Sequence, residues 1–297
     1  MLILVQKSNL NQTIKLKGGR TLGFAEVGDP EGKPLFHFHG YPGSRLEITL
    51  IEELLKNKSI RLIGIDRPGM GLSDFKENRK LLDWPDDVVE LANHLGYDKF
   101  AIEGISGGGP YALACAYKIP DRLTTCGIIA GLEPVELGLE GMNRSNRMLF
   151  FFIKRMPFLV KIIMKRQVKK ATNIDDFKKM LKKGIKDLPE PDKKIIEDPK
   201  RLDLFAIEMA EAFKQGSKGL VLEAKLYAKN WGFQLDQIDP NLKVYIWHGE
   251  LDDSVPINMS REASKLIPNC ETKFYPNEGH YSIAFNHMNE IFESLIK

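Results

Sequence analysis

Residues 100–118 read FAIEGISGGGPYALACAYK, and the change of texture along them decides the fold. FAIEG is short, apolar and bounded by glycine, which is how a buried strand reads. PYALACAYK is apolar on nearly every side and reads as a mostly buried helix. Gly104-Ile105-Ser106-Gly107-Gly108 joins the two with no room for a loop. A serine on so tight a strand-to-helix turn takes a strained backbone conformation and needs small neighbours on both sides. The turn lifts the Ser106 hydroxyl above the sheet. It also aims the Gly107 N–H, at the start of the helix, toward any negative oxygen forming there. A glycine-rich helix start that binds phosphate, or merely turns the chain, uses similar letters. The rest of the sequence has to decide between them.

Outward from this turn, TLGFAEV, PLFHFH, RLIGI and TTCGIIA read as further strands between residues 21 and 130. DWPDDVVELANHLG, 83–96, places Val88, Val89, Leu91, Ala92 and Leu95 on one helical face, with Asp83 as N-cap and Gly96 as stop. From about 242 the alternation resumes: KVYIWHG and ETKFYP as strands, INMSREASKLIP and SIAFNHMNEIFESLIK as helices. Strands alternating with helices predict an α/β fold with a mostly parallel central sheet flanked by helices. The middle differs. Strand signals nearly vanish over 132–232, and residues 151–200 hold 15 Lys or Arg against 7 Asp or Glu. We expect a core built from 1–131 and 233–297, with 132–232 as an all-helical cap over the carboxyl ends of the strands, where open α/β sheets place their sites.

Composition narrows the function classes. A chain of 297 residues, 43% hydrophobic and 28% charged, can bury a large core without metal or disulfide staples. A net charge of +3 is too small to argue for a nucleic-acid partner. Cys115, Cys126 and Cys270 are sparse and odd in number, which fits a reducing compartment and gives no disulfide framework or C-x-x-C metal spacing. The opening MLILVQKSNL is apolar for only five residues and lacks a basic start, so it does not read as a signal peptide. MLFFFIKRMPFLVKIIM, 148–164, is interrupted by Lys154, Arg155, Pro157 and Lys161, too often to span a membrane. The expected location is cytoplasmic.

A serine at its ordinary pKa is a weak nucleophile and needs a base. Of six histidines, His280 in NEGHYS follows the strand ETKFYP and belongs at a strand's carboxyl end. His37 and His39 sit on one strand and read as a pair filling space; a metal site there needs a third ligand that the sequence does not offer. His94, His248 and His287 lie on a helix face, at a strand end and inside the last helix. The base needs a carboxylate to fix its tautomer. Asp252 in HGELDDSVP stands at the right place, with Asp253 and Glu250 as neighbouring alternatives. For a second oxyanion donor, His39-Gly40-Tyr41-Pro42-Gly43-Ser44 offers the Tyr41 N–H, since proline donates nothing.

Together, HGYPGS, DRPGMGLSD, GISGGGP and HGELDDSVP followed by Gly279-His280 resemble the α/β-hydrolase superfamily, in its cap-bearing single-domain branch. The resemblance covers nearly 200 residues of the two core halves but not the cap. It implies Ser106, Asp252 and His280 as a catalytic triad in the Ser–Asp–His chain order, Tyr41 and Gly107 as oxyanion donors, and no cofactor. It makes Asp66-Arg67-Pro68-Gly69 a scaffolding loop. For Arg45 and Glu103 an internal ion pair is expected, with binding of a polar substrate group as the alternative. A serine nucleophile argues against the dehalogenase and epoxide-hydrolase members, which carry aspartate there. Proline iminopeptidases show HGGPG and GGSWG where this chain has HGYPG and GISGG, so that activity is a second choice beside carbon–carbon bond hydrolysis. Cleavage of a carboxylic ester in a small acyl substrate fits most broadly. A ligand-sensing protein that keeps the triad is the reading from another class. The basic, apolar cap suits a solvated face, steering of anionic substrates, or contact with a membrane surface.

Overall fold

A computed structural model describes residues 7–297. Most of the apolar opening that reads as too short for a signal lies outside them. Eight strands form one sheet in the order β1-β2-β4-β3-β5-β6-β7-β8. They are β1 Gln12–Lys15, β2 Thr21–Gly28, β3 Lys33–Phe38, β4 Ile60–Ile65, β5 Phe100–Ile105, β6 Leu123–Ile129, β7 Val244–Gly249 and β8 Cys270–Tyr275. From β3 to β8 all neighbours run parallel, while β2 pairs antiparallel with both β1 and β4. β1 escapes the sequence reading because QTIK is four residues long and buries only Ile14.

Alternation along the strands supplies both faces of the sheet. Phe36, Phe38, Ile63, Ile102 and Ile128 point into one apolar layer, with helices α1 Trp84–His94 and α2 Gly109–Lys118 packed there. Leu35, Leu62, Ala101, Ile129 and Trp247 point into the other, against the final helix. Ahead of α1 the chain makes a short 3-10 turn, Leu81–Asp83. Asp83 caps that turn's first N–H, from Lys80, rather than α1 itself. Gly96 ends the region with φ of +82°, as its place after the apolar stripe predicts.

Between β6 and β7 the chain builds six helices: α3 Arg144–Arg155, α4 Pro157–Ala171, α5 Ile174–Ile185, α6 Glu190–Ile196, α7 Pro199–Ala212 and α8 Lys218–Tyr227. Pro157 starts α4 and so breaks the apolar run 148–164 into two amphipathic pieces. Helices α9 Ile257–Leu266 and α10 Ser282–Leu295 complete the order. No helix among the described residues is long and apolar enough to cross a membrane.

Candidate active site

The turn after β5 has the strained geometry its sequence demands. Ser106 sits at φ +51°, a left-handed conformation that side chains with a Cβ rarely adopt. It is held there because its neighbours cannot grow. A Cβ on Gly104 would strike the Gly108 carbonyl, and one on Gly108 would strike the Phe38 carbonyl of β3. The hydroxyl is thereby fixed above the sheet, and the His280 Nε2 atom lies 2.9 Å from Ser106 Oγ. On the other side of the ring, Nδ1 lies 2.7 Å from Asp252 Oδ2. A carboxylate only accepts, so Nδ1 carries the proton and the free Nε2 lone pair faces the serine O–H. Three residues 28 to 174 positions apart therefore meet in one hydrogen-bonded line.

Asp252 is locked by its other oxygen, which accepts the N–H groups of Ser254 at 2.8 Å and Val255 at 2.9 Å. Burial alone would raise its pKa; His280 and His248 outweigh that and hold it well below the usual carboxylate range. Burial likewise pulls His280 down, but the Asp252 carboxylate more than offsets it and the net shift is upward from 6.5. The neighbouring alternatives are used elsewhere. Glu250 pairs with Arg261 at 2.7 Å, and the Asp253 carboxylate is hydrogen-bonded to Asn143.

The loop after β3 packs on the serine turn. An added Cβ on Gly40 would touch Ser106 Cβ, and one on Gly107 would crowd the Tyr41 N–H. What orients this loop is Arg67, fully buried. Its guanidinium donates to the carbonyls of His39 and Gly40, the latter at 2.7 Å, pairs with Glu223 of α8, and lies over the Tyr111 ring. Holding the Gly40 carbonyl turns the Tyr41 N–H of the same peptide the opposite way, since the two groups are antiparallel across a trans peptide. The DRPG motif, read from sequence as scaffolding, thus sets the direction of one expected oxyanion donor.

Several polar residues acquire roles that the sequence did not show. His37 is not filling space: it faces Glu103 across the β3–β5 register at 2.9 Å and Glu47 at 3.0 Å. Burial pulls its pKa down, but the two glutamates push it up to about 9. His39 accepts no such pair; burial and Arg67 hold it well below 6.5. Arg45 pairs with Asp66 and Glu211, both at 2.8 Å, and Glu103 with His37, so the two are separate internal ion pairs. His248 reaches the same Asp252 Oδ2 at 3.1 Å and continues through Ser260 Oγ at 2.7 Å to Glu133 Oε1, 2.6 Å further on. Asp192 of α6 accepts the N–H groups of His280, Tyr281 and Ser282 at 2.8, 2.9 and 2.8 Å, and so fixes the histidine loop from the helical insertion. Gly279 permits this, since a Cβ there would collide with the Asp192 carboxylate. No local pattern marks Asp192, because the N–H groups it accepts lie 88 to 90 positions away.

A cavity of about 120 Å³ opens at Ser106 and His280. Its apolar wall includes Leu50, Ile129, Phe205, Met209 and Phe285, and its polar wall carries Glu47 and Glu208. Glu208, from α7, accepts the Ser44 N–H at 2.5 Å; burial and the Glu47 charge raise its pKa well above the usual range. The arrangement offers a hydroxyl and a base beside a mostly apolar space.

Comparisons with known proteins agree with this architecture. The model of a family described as alpha/beta hydrolase fold matches residues 33–158. A probable proline iminopeptidase of Leptolyngbya boryana is 31% identical over 106 residues, 34% of this chain and 32% of the relative, so the match spans about a third of that relative's length. Among solved structures, a thermophilic esterase from Thermogutta terrifontis superposes with a TM-score of 0.66 at 21% identity, over 97% of this chain and 99% of that one. The esterase RhEst1 from Rhodococcus sp. ECU1013 gives 0.68 at 17%, over 97% and 98%. With its strand order, its serine turn between β5 and α2 and its family match, this chain has the α/β-hydrolase fold.

Proposed function

We propose that this chain is a serine hydrolase that cleaves a carboxylic ester in a small acyl substrate. The observation that carries the reading is the unbroken line from Ser106 through His280 to Asp252 at 2.9 and 2.7 Å. Ser106 Oγ attacks the carbonyl carbon as its proton passes to His280 Nε2. The resulting oxyanion is held by the N–H groups of Tyr41 and Gly107, each such donor being worth about 3 kcal/mol in comparable sites. The Asp252 carboxylate stabilises the imidazolium, which then protonates the departing alkoxide. Water, deprotonated by the same histidine, attacks the acyl-serine, and the acid leaves with Ser106 restored. The helical insertion acts as a cap: Phe205, Glu208 and Met209 of α7 close one side of the pocket. The apolar side chains on the pocket wall favour an uncharged acyl group.

The iminopeptidase match, with the Glu47 and Glu208 carboxyl groups on the pocket wall, favours a second reading in which the acyl group carries an amine and the bond cleaved is an amide. One panel separates the readings: short-chain p-nitrophenyl esters against aminoacyl p-nitroanilides, with fluorophosphonate labelling of the serine. Ester turnover that disappears in Ser106→Ala supports the first. Turnover of the anilides alone supports the second. Rapid labelling without turnover of either series points to a ligand sensor, and ester turnover unchanged in Ser106→Ala places the chemistry elsewhere.

A further inference from the structure

Helices α3 and α4 carry an unusual surface. From Arg144 to Ala171 there are nine Lys or Arg and no Asp or Glu, in a chain whose total is only +3. The two helices pack against each other and against α8, burying Phe150, Ile153, Val160 and Met164. Their opposite sides face solvent, and those sides are not purely charged. Of the nine large apolar side chains exposed among the described residues, six lie here: Met148, Phe151, Met156, Phe158, Ile162 and Ile163. Phe158 is 58% exposed and Phe151 49%.

The helical period places them among the cations. On α4, Phe158, Ile162 and Ile163 share the solvent side with Lys165, Arg166 and Lys169, opposite buried Val160 and Met164. On α3, Met148 and Phe151 share it with Arg147, Lys154 and Arg155. A solvated basic face explains the charge but not two phenylalanines and two isoleucines left in water at its centre. Beside α3 lies an open hollow of about 400 Å³ lined by Arg147, Phe151, Lys154 and Arg155, among others, with Glu140 its one acidic member. Apolar side chains ringed by cations, with almost no anions, are complementary to one kind of partner: an anionic surface with an apolar interior beneath it.

We propose that the solvent face of α3 and α4 docks this protein on anionic lipid bilayers, the apolar side chains entering the headgroup boundary and the lysines and arginines meeting lipid phosphates. The contact is peripheral, because neither helix is long or apolar enough to span. It is independent of the hydrolytic reading, and its assay reads no turnover.

The test is co-sedimentation of the full chain with phosphatidylcholine vesicles, with and without phosphatidylglycerol, in low and high salt. Binding is expected only with the anionic lipid and should weaken as salt rises. Neutralising Lys161, Lys165, Arg166 and Lys169 to Gln should cost about fivefold in partitioning per side chain removed. Phe158→Ser, Ile162→Ser and Ile163→Ser together should cost about a hundredfold or more. These side chains are exposed, so folding is not at stake, and Leu266→Ser, an exposed apolar residue on α9, should bind as the parent does. Equal pelleting with neutral vesicles, no pelleting at low salt, or full binding by the triple serine variant overturns the proposal. So does a dimer in solution that the same three substitutions abolish, which would make the face an interface between copies.

Discussion

Along the carboxyl rim of the sheet, atoms are fixed one at a time. In the helical insertion, faces are fixed and individual positions are free. Ser106 stands at φ +51° because neither Gly104 nor Gly108 has room for a Cβ, and Asp252 has every oxygen committed. On α3 and α4, beyond the bond from Asn146 to the Ser254 carbonyl, burial selects Phe150, Val160 and Met164, and the other side varies at little cost to the fold. The difference teaches where each region's chemistry resides. A rim built on backbone geometry supports a reaction, whereas an insertion built on sidedness supports a surface. Where they meet, the insertion switches to the rim's habits. Asp192, Glu208 and Glu223 are buried, and each bonds a specific group of the core.

The sharpest break of this contrast is at the rim. Ser106→Ala and His280→Ala should each lower kcat by about 10⁴-fold or more, and the double variant should lose little beyond either alone, because the pair acts as one unit. Multiplying losses in the double variant, measured on any ester the parent cleaves, would show that the two side chains work separately.

Asp192 tests whether the insertion merely covers the site or helps to build it. Asp192→Asn keeps one oxygen, enough for the N–H groups of Tyr281 and Ser282 that share Oδ1, but turns an NH₂ toward the His280 N–H. We expect kcat to fall about 100-fold with KM nearly unchanged and only a modest loss of thermal stability. A cover with no part in positioning would give the reverse pattern, a changed KM and an intact kcat.

These two tests also mark what the sequence made legible. GISGGGP, HGELDDSVP and Gly279-His280 pointed to Ser106, Asp252 and His280, which meet in one hydrogen-bonded line, because strained turns and strand ends demand particular residues at particular spacings. The parallel pairing from β3 onward followed from the alternation of elements. Asp192 and Arg67 were not legible in their full roles, since each acts through a contact with a distant segment. His37 and His248 were set aside as strand histidines. Their carboxylate partners come from neighbouring strands and loops, and no local pattern encodes that pairing.

A smaller effect belongs to the core alone. His37, with its folded pKa raised to about 9 from 6.5, contributes stability that is fully present below pH 6.5 and is lost as pH rises through about 9. The amount at stake is about 3 kcal/mol. Subtracting the Tm-versus-pH curve of His37→Gln from that of the parent should give a difference that shrinks between pH 6.5 and 9. A flat difference would mean that the ring is neutral between Glu103 and Glu47.

The smallest expected effect concerns the proton chain behind Asp252. His248 Nε2 faces the Val255 carbonyl at 2.9 Å and Asp252 at 3.1 Å, both acceptors, so Nε2 carries hydrogen. Its Nδ1 leads through Ser260 to Glu133, whose pKa burial raises to about 7. With Glu133 ionised, Ser260 donates to it and accepts from Nδ1–H, and His248 is a cation. With Glu133 protonated, the chain reverses and His248 is neutral. A cationic His248 draws on the charge of Asp252 and so limits how far that carboxylate raises His280. Glu133→Gln removes the weaker of the two carboxylate charges that hold His248 protonated, favours the neutral ring and leaves more of the Asp252 charge to His280. The Cys270 thiol on β8 also feels Glu133, but burial keeps it protonated, with its pKa at about 12. In the parent, kcat/KM should rise with pH along a limb whose midpoint lies above 6.5, because His280 acts only when neutral. In Glu133→Gln that midpoint should move up by about half a unit to one unit, with the alkaline plateau within about threefold of the parent. A midpoint that stays put or moves down would mean that His248 is neutral throughout and only packs against Asp252.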